Sequence, residues 1–325
     1  MSDAEEPTKV AIACQGGGSH TAFTAGVLER MLERWDDERY ELVGISGTSG
    51  GAFNAVGTWY GLVTGDRNDA IDVLNGLWSD LAAKGVNDRV LNGWLTGYSR
   101  LEGAGFPLPM TSPYQVAGDE LGKQRIVDAL ERHIDFDAVP ELCGPDCPEL
   151  VVGTVNVNEG IFETFTNSDV TPKTVLASAA VPNLFEAVKL NGHYHWDGLF
   201  SQNPPVDDLL KVPREPKPDE LWVIQINPQE YEGEPASLDA IADRRNELSG
   251  NISLNQELRS VARINTWIEE GYLPEDQFKY TEIHRIEMGQ RYSYSTKLDR
   301  RPAFLAELWD LGRSQAEAFL NERQA

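Results

Sequence analysis

The residues with the most chemical content are Gly47-Thr48-Ser49-Gly50-Gly51, which fit the pattern Gly-x-Ser-x-Gly. A serine hydroxyl is well placed as a nucleophile on a sharp strand-to-helix turn, and such a turn tolerates only small neighbours. Where a helix begins, backbone N–H groups and the dipole also favour a nearby negative charge. A Gly/Ser-rich loop without catalytic role fits the bare pattern too, so the flanking elements must decide. Upstream stand three consecutive glycines, Gly16-Gly17-Gly18. With no side chains in the way, their N–H groups can converge on one point. Donors aimed at a developing oxyanion contribute roughly 3–4 kcal/mol each to acyl transfer. A phosphate loop would need a Gly-Lys-Ser/Thr ending, and a dinucleotide site a second glycine pattern; neither is present. Serine attack on a carbonyl, with main-chain donors holding the oxyanion, is the chemistry these residues predict.

A base for Ser49 has two sources. The order serine, acid, histidine is usual in α/β-hydrolases, and of the histidines (20, 133, 193, 195 and 284) only His284 lies well downstream. It falls inside an apparent strand beside Arg285, as a solvent-facing residue would. The other source is Asp197 in Trp196-Asp197-Gly198. A carboxylate held against the hydroxyl can act as base if burial raises its pKa towards neutrality, although an Asp in a turn often only bonds local backbone.

The elements that must position these residues follow from hydrophobic pattern. Val10 to Cys14 is a short apolar strand ending at the glycines, and a helical face follows through Ala22, Phe23, Val27 and Met31. Leu42 to Ile45 is a second buried strand, broken at the Ser49 turn, and Ala52 to Leu62 is helical. Strand, glycine loop, helix, repeated, is the rhythm of a parallel sheet with crossover helices. From Lys84 to Tyr114 no period of 2 or 3.6 holds. Long irregular segments with aromatic content read as lids or binding loops. Strands are predicted at 150–157 and 161–166 around a hairpin turn, then at 185–190, 221–227 and 281–288, with helices at 172–180, 238–268 and 303–319.

Taken together, residues 15–28 from Gln15-Gly16-Gly17-Gly18, the Gly44 to Gly51 segment, Ala177 to Pro182 and Trp196-Asp197-Gly198 resemble the ordered blocks of the patatin-like phospholipases. The resemblance spans about residues 8–230. It implies an α/β three-layer fold, a central mostly parallel sheet with helices on both faces. It also implies a Ser49–Asp197 dyad without histidine, an oxyanion hole from the amides of Gly16, Gly17 and Gly18, and hydrolysis of lipid acyl esters. Gly47, Gly51 and Gly198 would support the two turns. His20, Thr21 and Leu199 depart from the residues common in the family; His20 either donates near the oxyanion or faces the helix surface. The organisation expected is a disordered acidic leader at 1–8, a catalytic domain over 9–230 with 84–114 as lid, and a helical extension over 231–325 packed on the same domain.

Composition bounds the rest. The 325 residues carry 28 basic and 52 acidic side chains, a formal charge of −24, with 19 Arg against 9 Lys. Such a surface repels nucleic-acid phosphates, and docking on anionic lipid would need a local basic patch that the sequence does not display. Acid excess with scarce Lys suits a protein adapted to high salt, and an ordinary acidic enzyme as well. Three cysteines exclude a disulfide-built domain, and Cys143 with Cys147 forms only half a zinc site. No metal or organic cofactor is expected. With no signal peptide read in Met1 to Lys9 and no long apolar run, the expectation is a cytoplasmic protein. Its partner would be a lipid or ester substrate, with peripheral contact to a lipid or polyester surface. Phospholipid, glyceride and polyhydroxyalkanoate all present the same acyl carbonyl. A ligand-binding module that keeps the glycine loop without turnover is the reading from another class.

Overall fold

The computed structural model describes residues 6–103, 112–115, 119–144, 147–182, 184–211, 216–274 and 276–324. In chain order the elements are β1 (Thr8–Cys14), α1 (Ala22–Arg34), β2 (Tyr40–Thr48), α2 (Gly50–Thr64), α3 (Arg67–Leu81), α4 (Val86–Gly103), α5 (Asp119–His133), α6 (Val139–Leu142), β3 (Glu149–Asn156), β4 (Ile161–Thr166), α7 (Pro172–Ser178), β5 (Val188–Leu190), β6 (His193–Asp197), β7 (Glu220–Gln225), α8 (Leu238–Glu269), β8 (Glu282–Glu287) and α9 (Pro302–Gln324). The strands form one sheet in the order β5-β6-β3-β2-β1-β7-β8, with β4 also paired to β3. From β3 to β8 the neighbours are parallel, and β4, β5 and β6 extend the sheet antiparallel.

The central strands are apolar without alternation because both faces are covered, as a parallel sheet requires. Val10, Ile12, Trp222 and Ile224 face a core shared with α1, α2, α3 and α9. Ala11, Ala13, Leu221 and Val223 face the opposite core, closed by Leu254, Leu258 and Val261 of α8. The result is a mostly parallel sheet between two helical layers, as expected. β8 continues the sheet beyond β7, and α9 lies along α1, where the main chain of Trp309 and Phe23 leaves room only for Gly26 and Gly312.

The segment read as irregular from Lys84 departs from expectation, since α4 occupies Val86–Gly103. Its anchor is polar and non-local: Asn92 donates to Asp299 Oδ1 at 3.2 Å and accepts from the Arg300 N–H at 2.8 Å. Periodicity cannot register such an anchor. Residues 104–111, and with them Phe106, Leu108 and Met110, lie outside the described residues. At the N-terminus β1 already starts at Thr8, and residues 1–5 of the predicted leader lie outside the described residues.

Candidate active site

Strand register brings the two sequence-predicted catalytic residues together. β2 pairs with β3 up to Thr48↔Gly153, and β6 pairs with β3 from Asn156↔His195 to Thr154↔Asp197. Because β4 occupies the other edge of β3 along Val151 to Asn156, β2 and β6 share one edge and run towards each other. Their carboxyl ends meet there. Ser49 follows the last residue of β2, and Asp197 is the last of β6. A Cβ on Gly198 would reach 3.0 Å from both the Gly153 carbonyl and Thr48 Cγ2.

Ser49 has φ 55° and ψ −129°, a conformation that L-residues rarely adopt and that costs of order 1–3 kcal/mol. The turn is closed by a hydrogen bond from the Ser49 N–H to Ser178 Oγ at 2.8 Å, and Ser178 in turn donates to the Gly153 carbonyl at 2.6 Å. Gly47 and Gly51 belong to the same bend, and a Cβ on Gly47 would come within 2.4 Å of Gly51 backbone atoms. The Ser49 side chain lies beside the carboxylate of Asp197, close enough to lower its pKa. Asp197 also accepts from the Leu199 N–H at 2.9 Å. Burial pushes its pKa up to about 7, while Ser49, Leu199 and the cation of Lys297 pull it back.

The glycine loop lies against this pair, and Gly16 packs on the Thr48 carbonyl and Ser49 Cβ. One expected oxyanion donor is already engaged. The Gly16 N–H donates to Asn203 Oδ1 at 2.6 Å, and Asn203 Nδ2 returns a bond to the Gly16 carbonyl at 3.3 Å. The N–H groups of Gly17 and Gly18 have no partner among the described residues. Gln15 fixes the base of the loop: its Oε1 accepts from the Ile226 and Asn227 N–H groups at 3.0 and 2.9 Å, and its Nε2 donates to Asn251 Oδ1 at 3.1 Å. Beside Gly17 lies the half-buried side chain of Lys297, whose ammonium donates to the side-chain oxygens of Asn227 and Asn246. Burial lowers its pKa to about 8, and Glu247, Asp197 and Asp243 hold it from falling further.

Residues 12–210 match the family described as patatin-like phospholipase. The chain belongs to the patatin-like phospholipase family. No curated protein sequence matches the chain. Among solved structures it is similar to VipD from Legionella pneumophila, at 15% identity and TM-score 0.47, over 98% of this chain and 67% of that one. It is also similar to ExoU, seen in its heterodimeric complex with SpcU from the type III secretion system of Pseudomonas aeruginosa. There the identity is 13% and the TM-score 0.40, over 98% of this chain and 52% of that one.

In this patatin-like chain the histidines stand apart from the serine. His284 lies on β8, three strands from β2, against Phe319 and the guanidinium of Arg323. His20 neither faces the surface nor serves as a donor at the loop. It is buried between Tyr292 and Phe304, 2.7 Å from Thr296 Oγ1, and burial with the Lys297 charge holds its pKa well below the ordinary value. Cys143 and Cys147 are free thiols, half-buried, with raised pKa values owed to burial. Among the described residues the one cluster with metal-ligand spacing is Glu220, Glu282 and His284. Arg323 pairs with Glu220 there and also contacts His284. Asn203, Ser178 and Lys297 are the site residues that sequence reasoning missed. Ser178 stands inside the quoted Ala177 to Pro182 block, so a signal was there to be used; Lys297 lies far beyond the family match.

Proposed function

We propose that the protein hydrolyses carboxylic esters of lipid acyl groups through a Ser49 acyl-enzyme with Asp197 as general base. The observation that carries this reading is the placement of the strained Ser49 beside a buried carboxylate with a pKa of about 7, at the meeting ends of β2 and β6. A base poised near neutrality both accepts and returns a proton efficiently. Asp197 takes the Ser49 proton as the oxygen attacks the ester carbonyl. The free N–H groups of Gly17 and Gly18 receive the oxyanion, and Gly16 is kept for holding the loop through Asn203. Protonated Asp197 then gives its proton to the leaving alcohol. Water attacks the acyl-enzyme, Asp197 takes the water proton, and Ser49 recovers it as the acid departs.

Only 7% of Ser49 is exposed, and we propose that a covering segment moves to admit substrate. α4 is our candidate, because it rests on the turn around Asp299 and Arg300 that adjoins Lys297 and the glycine loop. Ser49→Ala is expected to keep the fold and to lose both turnover of a chromogenic acyl ester and labelling by a fluorophosphonate. Unaffected turnover would reject the assignment. Asp197→Asn should abolish activity and His284→Ala should not. A panel that compares release of fatty acid with release of hydroxyacid separates a lipid substrate from a polyhydroxyalkanoate.

A further inference from the structure

α8 is 32 residues long, and its buried and solvent sides differ in charge as well as hydropathy. At 100° per residue, Ile241, Leu248, Ile252 and Trp267 fall within about 60° of one line along the helix, over a length of about 40 Å. All four are exposed, Ile252 by 53% and Trp267 by 43%. Arg245, Arg259 and Arg263 lie on the same line, are exposed, and make no ion pair or hydrogen bond among the described residues. The helix's acidic side chains are used elsewhere. Asp243 accepts from the Tyr294 N–H, Glu247 pairs with Arg244 and Arg291, and Glu257 caps the Val206 and Asp207 N–H groups. Asp239 and Glu269 stand at the ends, well off the line. On a chain with net charge −24, this is a stripe of cations and apolar side chains.

We propose that this face of α8 docks the protein on an anionic lipid bilayer. Apolar side chains alternating with arginines along one helix face, with a Trp near one end, suit the boundary between headgroups and acyl chains. Each arginine near such a surface is attracted to it. The chain's net charge opposes the bilayer at long range, but screening limits that opposition to about 8 Å at physiological ionic strength. Inside that distance the line carries three arginines against the one exposed carboxylate of Glu270 at the helix end. A second copy of the chain fits less well: antiparallel pairing of two α8 helices about Ile252 would set Arg245 of one copy against Arg259 of the other. Docking here also serves the proposed lipid hydrolysis, on whose substrate class it rests. Gly250, on the side of α8 opposite Ile252, packs on Asn227, Asn203 and Gln15, and Asn251 on the flank bonds Gln15 and Asn227. One helix diameter, about 10–12 Å, therefore separates the lipid plane from the residues that hold the glycine loop.

The test uses the full chain carrying Ser49→Ala, so that binding is read without turnover. It is expected to pellet with vesicles of phosphatidylcholine and phosphatidylserine, and at least about tenfold less with phosphatidylcholine alone. Joint replacement Arg245→Gln, Arg259→Gln and Arg263→Gln should remove that preference, and Ile252→Asp should weaken pelleting on both compositions. With Ser49 restored, each variant should hydrolyse a soluble short-chain ester as the parent does while losing activity on vesicle lipid. Pelleting that is absent, or equal in parent and triple variant, would overturn the proposal. So would a concentration-dependent dimer in sedimentation velocity that Ile252→Asp abolishes. Circular dichroism and thermal melting check that each variant is folded. Should Ser49 prove inert towards fluorophosphonate, the vesicle result would still stand or fall independently.

Discussion

Asp197 meets two demands that pull in opposite directions. Removal from water makes the carboxylate a stronger base, and the same removal makes its anion a burden on the fold. With its pKa raised to about 7, kcat/KM is expected to rise with pH through neutrality and then level as the base ionises. Lys297 is one of the groups that hold that value down, so Lys297→Met should move the inflection to higher pH and slow turnover at neutral pH. A merely structural lysine would change the melting temperature and leave the profile where it was. Stability runs the other way. The folded-state pKa lies above the unfolded one, so the folded chain binds the extra proton between about pH 4 and 7 and loses stability as pH rises across that window. Asp197→Asn should therefore abolish turnover while raising stability at pH 8, by on the order of 2–4 kcal/mol. Ser49 and Asp197 were legible because each sits in a short motif whose neighbours carry the signal. Asn203 and Lys297 were not, because their roles arise from contacts with residues 187 and about 280 positions away.

Two strands meeting end to end explain why so few elements suffice to build the site. β3 is the common template: its Gly153 and Thr154 set the ends of β2 and β6 side by side, and α7 pins the junction through Ser178. Ser178→Ala would leave the Ser49 N–H and the Gly153 carbonyl without their side-chain partner in a buried place. A loss of about 1–3 kcal/mol of stability is expected. Because the bend holds a strained residue, kcat should fall at least about tenfold while KM changes little, as for a nucleophile displaced from its productive geometry. Equal activity in steady-state kinetics would show that the glycines alone hold the bend. The parallel strands could be read from the sequence, since burial on two faces leaves an unbroken apolar run. Neither α3 nor α5 is read as a helix from the sequence, and α4 reads as irregular: Gly93 and Gly97 interrupt its pattern, and its anchor at Asp299 is remote. α8 was legible as a helix. Which of its faces is covered depends on what lies beneath it, and so its basic stripe stayed hidden among acidic neighbours.

At the scale of the whole molecule, the excess of carboxylates sets the response to salt. The chain has 52 acidic and 28 basic side chains. Bridges such as Arg34–Glu317 and Arg132–Asp80, both at 2.6 Å, are solvent-accessible, and pairs of this kind contribute about 0–1 kcal/mol each. They cannot offset mutual repulsion among the unpaired carboxylates. The screening length falls from about 30 Å at 0.01 M salt to about 3 Å at 1 M, so self-repulsion of the folded state is strong in the first and nearly gone in the second. The melting temperature is expected to rise by several degrees over that range in sodium chloride, most steeply at the dilute end where screening changes most. A general salting-out effect would instead grow towards high concentration and be larger in sulfate. Charge reversal separates the two directly. Asp72 and Glu131 are exposed on α3 and α5, and Asp72→Lys with Glu131→Lys should raise the melting temperature in dilute buffer while leaving it unchanged at 1 M. A gain of equal size at both salt concentrations would point to a local contact, and no gain in dilute buffer would mean that repulsion does not limit the stability of this fold.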